Sequence, residues 1–366
     1  MKKITSLLLL LNIAIAFSQN GAPASPYYNG FNWTLTGSNL KNALATKIIT
    51  THTHELVYSQ TDNALAILDL DPADATNTNV LLVYGFSSNL CPAASSDDKD
   101  HRRRDASMQD DGSANPCLYN REHTFPKALG VPDLGTSGPG ADLHHLRAAD
   151  KKRNADRDND KFFNGSGNSF ESGTNWYPGD EWKGDIARMM MYMYLRYGDQ
   201  CLPINVGVGT PVASDANMID LFLQWNAEDP VSQFEDNRNT YLGNASNTYG
   251  QGNRNPFIDN PYLATVIWGG PTAQNRWPTI FLANPTFDLA DSVSIYPNPA
   301  SDVVNITTDV VLDEIDIITI NGQVLQQIKN PVIQNNTYTI GNLPKGFYFV
   351  KLSSATNSVT KKVLIN

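Results

Sequence analysis

The texture of the chain changes near Asp288. From there to Asn366 it consists of short alternating runs, Val303-Val304-Asn305-Ile306, Ile315-Asp316-Ile317-Ile318 and Phe347-Tyr348-Phe349-Val350, broken by Asn321-Gly322 and Pro344-Lys345-Gly346. A period of two interrupted by turn residues at this spacing predicts a small antiparallel β-sandwich. The text before the break lacks that period, and 366 residues exceed one typical domain, so two folded units are expected. The predicted layout is a leader over 1–19, a first domain over 20–283, a linker over 284–291 and the sandwich over 292–366.

Met1-Lys2-Lys3 followed by the apolar run Leu7 to Phe17 reads as a secretory signal, cleaved near Ser18 or Gln19. No later segment approaches the ~20 apolar residues of a membrane-spanning helix, so the mature chain is expected to be an exported monomer without a membrane span. Export permits disulfides. Of Cys91, Cys117 and Cys201, the first two share a loop-rich stretch and are the favoured pair; all three remaining reduced is the alternative. The formal net charge of −10 argues against a large basic surface for nucleic acid, without excluding local patches.

In the first domain, Leu40, Leu44 and Ile48 recur at helical spacing, and Val80 to Tyr84 reads as a buried strand ended by Gly85. Ser87 to Pro116 reads as a long loop, whose run Arg102-Arg103-Arg104 suits either phosphate contacts or a solvated surface. Ile186, Met189, Met190, Met193, Tyr194 and Tyr197 form one helical stripe ended by Gly198, and a second amphipathic helix is expected over Met218 to Trp225. The fold class is therefore α+β: a mixed helical domain with long connections, followed by the sandwich.

The chemistry concentrates in Tyr119 to Lys127, where Glu122 and His123 stand side by side. A strand-like run, Asp142-Leu143-His144-His145-Leu146, and a polar segment containing Asn154 follow. The order implied is strand, connection, strand, helix. Phosphodiester hydrolysis needs an activated water and a cation where negative charge accumulates. A hard divalent ion keeps several waters, so the Glu122 carboxylate and the Asn154 amide oxygen suffice to hold it. A histidine of ordinary pKa is mostly neutral near pH 7 and can take the water's proton, which is the part assigned to His123. Neighbours on a regular strand point to opposite faces, so the Glu122–His123 pair is expected at a strand end or a bend.

Arg121-Glu122-His123, Asp142 to Leu146 and Arg153-Asn154-Ala155-Asp156-Arg157 resemble the bacterial endonuclease I family of ββα-metal, or His-Me finger, nucleases. Gly184 to Arg188, Trp225 with Glu228 to Ser232, and Gln251 to Asp259 are similar to the same family, so the resemblance spans most of residues 25 to 270. It implies a secreted, sequence-nonspecific endonuclease acting on DNA and RNA and leaving 5′-phosphate ends. It further implies Mg²⁺ on Glu122 and Asn154, with Mn²⁺ or Ca²⁺ as alternatives, and His123 as general base. His145 stands where that family commonly has asparagine. Ile295 to Ala300, Asn321 to Leu325 and Leu343 to Val350 resemble the type A sorting domain of the type IX secretion system, which implies export through the periplasm to the medium or the cell surface. A carbohydrate-binding sandwich is the alternative.

Arg157 is the candidate for stabilising the transition state, and Arg121, Arg147 and Arg153 are candidate phosphate contacts, each weighed against a salt bridge to nearby aspartates. Asp142 and His144 are supporting candidates, His144 either orienting His123 or filling the core. His52-Thr53-His54 could serve a transition metal, but ending the first helix is favoured. Asp69 with Asp71, and Asp156, Asp158 and Asp160, lack the glycine and closing glutamate of an EF-hand loop and are expected on solvated faces. Two rival functions stand: a zinc hydrolase using His123, His144 and His145, and a non-catalytic surface binding protein.

Overall fold

The structure, a computed structural model, describes residues 21–85, 91, 102–281, 293–308, 312–332, 337–354 and 358–366. The expected leader and linker lie outside the described residues, as does much of the loop expected from Ser87. The chain divides into two compact units, residues 1–280 and 281–366.

The first unit opens with helices α1 (Gly37–Thr51) and α2 (Tyr58–Leu68). Leu40, Leu44 and Ile48 are the buried positions of α1, as their spacing predicts, and His52 follows its last residue. Strand β1 (Asn79–Leu81) pairs antiparallel with β2 (Arg103–Asp105), and β3 (Tyr119–His123) with β4 (Leu146–Asp150), which runs into α3 (Lys151–Arg157). Val80 to Tyr84 is buried throughout, but regular pairing covers only part of it: Val83 bridges Ala149 alone, and Tyr84 has a φ of 74°. The long loop expected up to Pro116 contains β2, because Arg103 and Arg104 turn inward onto Asp71 and Asp150 instead of facing solvent. A disulfide joins Cys91 to Cys117, and Cys201 is free and buried.

Strands β5 (Lys161–Phe162), β6 (Phe170–Ser172) and β7 (Asn175–Tyr177) form a small sheet in the order β5-β7-β6 before α4 (Lys183–Tyr197). The stripe read from the sequence is present, but α4 is buried on every side from Gly184 to Leu195. It is the central helix, and its polar residues are paired accordingly. Asp185 meets Arg147, and Arg188 meets Glu235. Gly184 is needed where it is, since a Cβ there would meet the Asp229 carbonyl at 2.5 Å. Helix α5 (Pro203–Val206), strands β8 (Pro211–Val212) and β9 (Asp215–Ile219), and helices α6 (Asp220–Glu228), α7 (Gln233–Leu242), α8 (Pro256–Asp259) and α9 (Tyr262–Trp268) complete the unit. Helix α6 starts two residues later than expected, because Met218 and Ile219 end β9.

The segments around Glu228–Ser232 and Gln251–Asp259 serve α4 and its neighbours. Gly184 N donates to Asp229 Oδ2 at 2.8 Å, Asn255 Nδ2 donates to the Arg188 carbonyl at 2.9 Å, and Asn253 Nδ2 donates to Tyr192 Oη at 2.7 Å. These polar side chains are therefore scaffold.

The second unit is built from β10 (Ser294–Tyr296), β11 (Val303–Thr307), β12 (Glu314–Thr319), β13 (Val324–Lys329), β14 (Thr337–Gly341), β15 (Gly346–Ser353) and β16 (Ser358–Ile365). They form two antiparallel sheets, β10-β11-β14 and β13-β12-β15-β16. Alternate residues, among them Val304, Ile306, Ile315, Ile317, Val350, Leu352, Val363 and Ile365, make one buried core. This is the sandwich that the period of two predicts.

Candidate active site

The β3–β4–α3 unit carries the site. In its register Glu122 lies opposite Arg147 and His123 opposite Leu146. Strand β4 passes directly into α3 because Asp150 caps the helix, its carboxylate accepting from the amides of Lys152 and Arg153 at 3.1 and 3.0 Å. Helix α3 lies along the edge of β3 away from β4. Asn154 Nδ2 donates to the Arg121 carbonyl at 3.2 Å, and Arg157 donates to the carbonyls of His123 and Thr124 at 3.1 and 2.9 Å. Two helix side chains thus satisfy outward carbonyls that a third strand would otherwise have to reach.

Glu122 is buried, with Oε1 accepting from Tyr84 Oη at 3.0 Å and paired with Arg157 Nη1 at 3.0 Å. Burial raises its pKa above the ordinary carboxylate range, while Arg157, the Tyr84 hydroxyl and the His123 amide oppose that rise. Arg157 is itself fully buried. Its two Nη atoms meet Glu122 and the two carbonyls while the residue lines the cavity, so it holds the carboxylate in place from beside it.

His123 ends β3 and is held by a single carbonyl, that of Gly140, 3.1 Å from Nε2. A carbonyl can only accept, so Nε2 carries the proton and Nδ1 keeps its lone pair. Gly140 cannot change freely: a Cβ there would meet the Gly135 carbonyl at 2.1 Å. Burial first, then His145, Lys127 and Arg121, push the His123 pKa down to about 3 against the pull of the Gly140 carbonyl. The imidazole is therefore neutral at physiological pH.

The carbonyl of Arg121 likewise fixes the Asn154 amide. The nitrogen must face Arg121 and Asn120 Oδ1, the latter at 2.7 Å, so the oxygen faces away from the strand. Among the described residues no hydrogen bond reaches that oxygen. Glu122, His123 and Asn154 line one open cavity of about 410 Å³, together with Arg121, Lys127, Lys151 and Arg157.

The alternation of strand faces is real here. Arg121 and His123 both lie against the Tyr58 ring, whereas Asn120 and Glu122 meet Asn154 and Arg157. The cavity nevertheless takes both sets, because it sits over the end of β3 on its free edge, where side chains of either face reach the same space.

Other expected residues go elsewhere. Arg147 is fully buried against Asp185 at 3.0 Å, with Phe234 and Trp182 rings beside it, so the expected phosphate contact is corrected to a core ion pair. Arg121 lines the cavity but is paired with Asp62 at 2.9 Å and lies 3.6 Å over the Tyr58 ring. Arg153 leaves this cavity altogether and lines a second one. His144 packs on Tyr192 and meets the Asn253 carbonyl at 3.1 Å, the core alternative for that residue. Asp142 is the centre of a buried network, accepting from Tyr192, Tyr197 and Gln251. Burial would raise its pKa, but His52, His144 and the donated hydrogen bonds hold it below the usual range. His145 Nε2 meets the Pro139 carbonyl at 2.7 Å. The three histidines of the zinc reading thus face three different carbonyls, and no group of three or more His, Cys, Asp or Glu suited to a metal occurs among the described residues. Asp69 and Asp71, expected on solvated faces, are buried partners of Arg147, Arg238 and Arg103 because those cations enter the core. Asp156 pairs with Lys152 on the surface of α3.

Sequence reasoning missed Tyr84, Asn120, Tyr58 and Gly140. Asn120 was findable, since it stands two positions before Glu122 and so shares its face. The others come from distant segments without a motif.

Residues 36–262 match the Endonuclease I family, and residues 294–366 match the secretion system C-terminal sorting domain. An extracellular ribonuclease of Bacillus subtilis (strain 168) is 37% identical over 288 residues, covering 71% of this chain and 89% of the relative. An extracellular ribonuclease of Bacillus amyloliquefaciens is 39% identical over 245 residues, covering 64% and 75%. No helix among the described residues is long and apolar enough to cross a membrane. Because the first match takes in more than half of the chain and contains the whole β3–β4–α3 unit, the protein belongs to the endonuclease I family and is an exported nuclease.

Proposed function

We propose that the first unit is a sequence-nonspecific endonuclease that hydrolyses DNA and RNA to 5′-phosphate ends with one Mg²⁺ ion. The observation that carries this reading is the single cavity shared by Glu122, His123 and Asn154. An RNA substrate is favoured by the extracellular ribonucleases to which the chain is similar.

Glu122 and the Asn154 oxygen are hard donors suited to Mg²⁺, with Mn²⁺ or Ca²⁺ as substitutes. Bound there, the ion would offset the charge that grows on the phosphate and on the leaving oxygen. Arg157 and Tyr84 keep the Glu122 carboxylate in place. His123 accepts a proton from water at Nδ1, and the Gly140 carbonyl keeps Nε2–H from turning toward the substrate. The developing imidazolium is stabilised by that same carbonyl.

The test uses the purified protein with Mg²⁺, Mn²⁺, Ca²⁺ or EDTA on supercoiled plasmid and on RNA. Cleavage of both, stopped by EDTA, is expected. His123→Ala should abolish turnover with metal affinity retained, and Glu122→Ala should weaken the metal. Full activity of His123→Ala would end the base assignment.

A further inference from the structure

A second cavity, of about 360 Å³, is lined in part by Tyr84. The hydroxyl of the same residue meets Glu122. Such a residue is strained at a φ of 74° and has to be held. Its carbonyl accepts from Ser169 Oγ at 2.6 Å, so the two cavities are tied together through one fixed side chain. The volume suits a small organic group.

Arg153 is the unusual member of the lining. No carboxylate pairs with it among the described residues. Its Nε and Nη2 donate to Ser169, and its guanidinium lies 4.9 Å from the centre of the buried Trp176 ring. One face and one edge are thereby occupied, which leaves Nη1 and the outward face for the cavity. The lining also holds Asp180, which accepts from Tyr177 and Gly167, and Glu181, which pairs with Arg102. Among the described residues the lining charges balance, Arg102 and Arg153 against Asp180 and Glu181, so they offer no surplus of positive charge for a phosphate. A plane to stack on, with donors and acceptors around it and no excess charge, matches an unpaired nucleobase.

We propose that this cavity is a nucleobase subsite, in which a base neighbouring the scissile phosphate leaves its stack and lies on the Arg153 guanidinium. The inference rests on the nuclease reading above and deepens it. A base in a duplex must first be unpaired, so single strands are the preferred substrate.

The experiment measures binding of a short fluorescent single-stranded oligonucleotide, and of the same sequence as duplex, by anisotropy in EDTA. Wild type, Arg153→Ala and Asn168→Trp are compared. Asn168 is exposed at the cavity mouth, so its tryptophan blocks entry without entering the core and carries the test if Arg153→Ala does not fold. Both variants should weaken single-strand binding about tenfold and leave duplex binding unchanged. Equal loss on both substrates, no loss on the single strand, or no single-strand binding by the wild type would overturn the subsite. Cleavage with Mg²⁺ is read in parallel. A wild type that binds as expected but cuts nothing overturns the proposed function alone; cleavage without the difference in binding overturns the subsite alone.

Discussion

Arg147 and Arg157 are both fully buried and ten positions apart, yet one belongs to the core and the other to the site. What separates them is the side of β4 and α3 from which each departs. Arg147 meets Asp185, whose carboxyl burial and Glu235 already push well above its ordinary range. Removing the cation takes away the nearer of the two arginines that compensate Asp185, leaving Arg188 at 3.7 Å, and empties a fully buried site, so Arg147→Ala should cost about 3–5 kcal/mol. Urea denaturation would measure it, and the folded fraction should cut nucleic acid at the wild-type rate. A normal midpoint with lost activity would return Arg147 to the substrate.

At the scale of elements, the scaffold depends on local devices of ordinary size. Ser232 caps α7, its Oγ accepting from the Glu235 amide at 3.2 Å while Glu235 reaches back to Ser232 N at 2.9 Å. Glu235 also holds Arg188 of the central helix. Ser232→Ala should therefore lower stability by about 1 kcal/mol, seen as a shift in urea midpoint at constant slope. A loss well beyond that would mean that the cap also positions the Glu235–Arg188 pair. The elements legible in the sequence were those with a period: α1, α4 and the strands of the sandwich. Periodicity reports one buried face, and so it undercounted the burial of α4, whose polar groups find partners in β4, in α7 and in the segments on either side of α7. The grouping of Glu122, His123 and Asn154 around one cavity was legible because their spacing within a strand-strand-helix unit is local. Sequence reasoning failed for Arg147, Arg153 and Asp69, where the deciding partner lies many residues away and charge alone does not say which way a side chain points. Tyr84 was read as the end of a strand; its role appears only when its hydroxyl is found on Glu122.

At the scale of the molecule, every residue named for the candidate site and the proposed subsite lies between Tyr58 and Glu181, inside the first compact unit. The buried core of the sandwich is a cluster drawn from residues 293–365. A chain ended after Ile280 should accordingly keep the thermal midpoint of the nuclease transition and its kcat/KM on nucleic acid, while losing delivery to the outside of the cell. The two losses are separable because one is read on purified protein and the other by assaying medium and cell surface. Should the shortened chain unfold at lower temperature, or cut nucleic acid more slowly, the sandwich would be part of the enzyme. Retained activity with export abolished assigns it to transport alone.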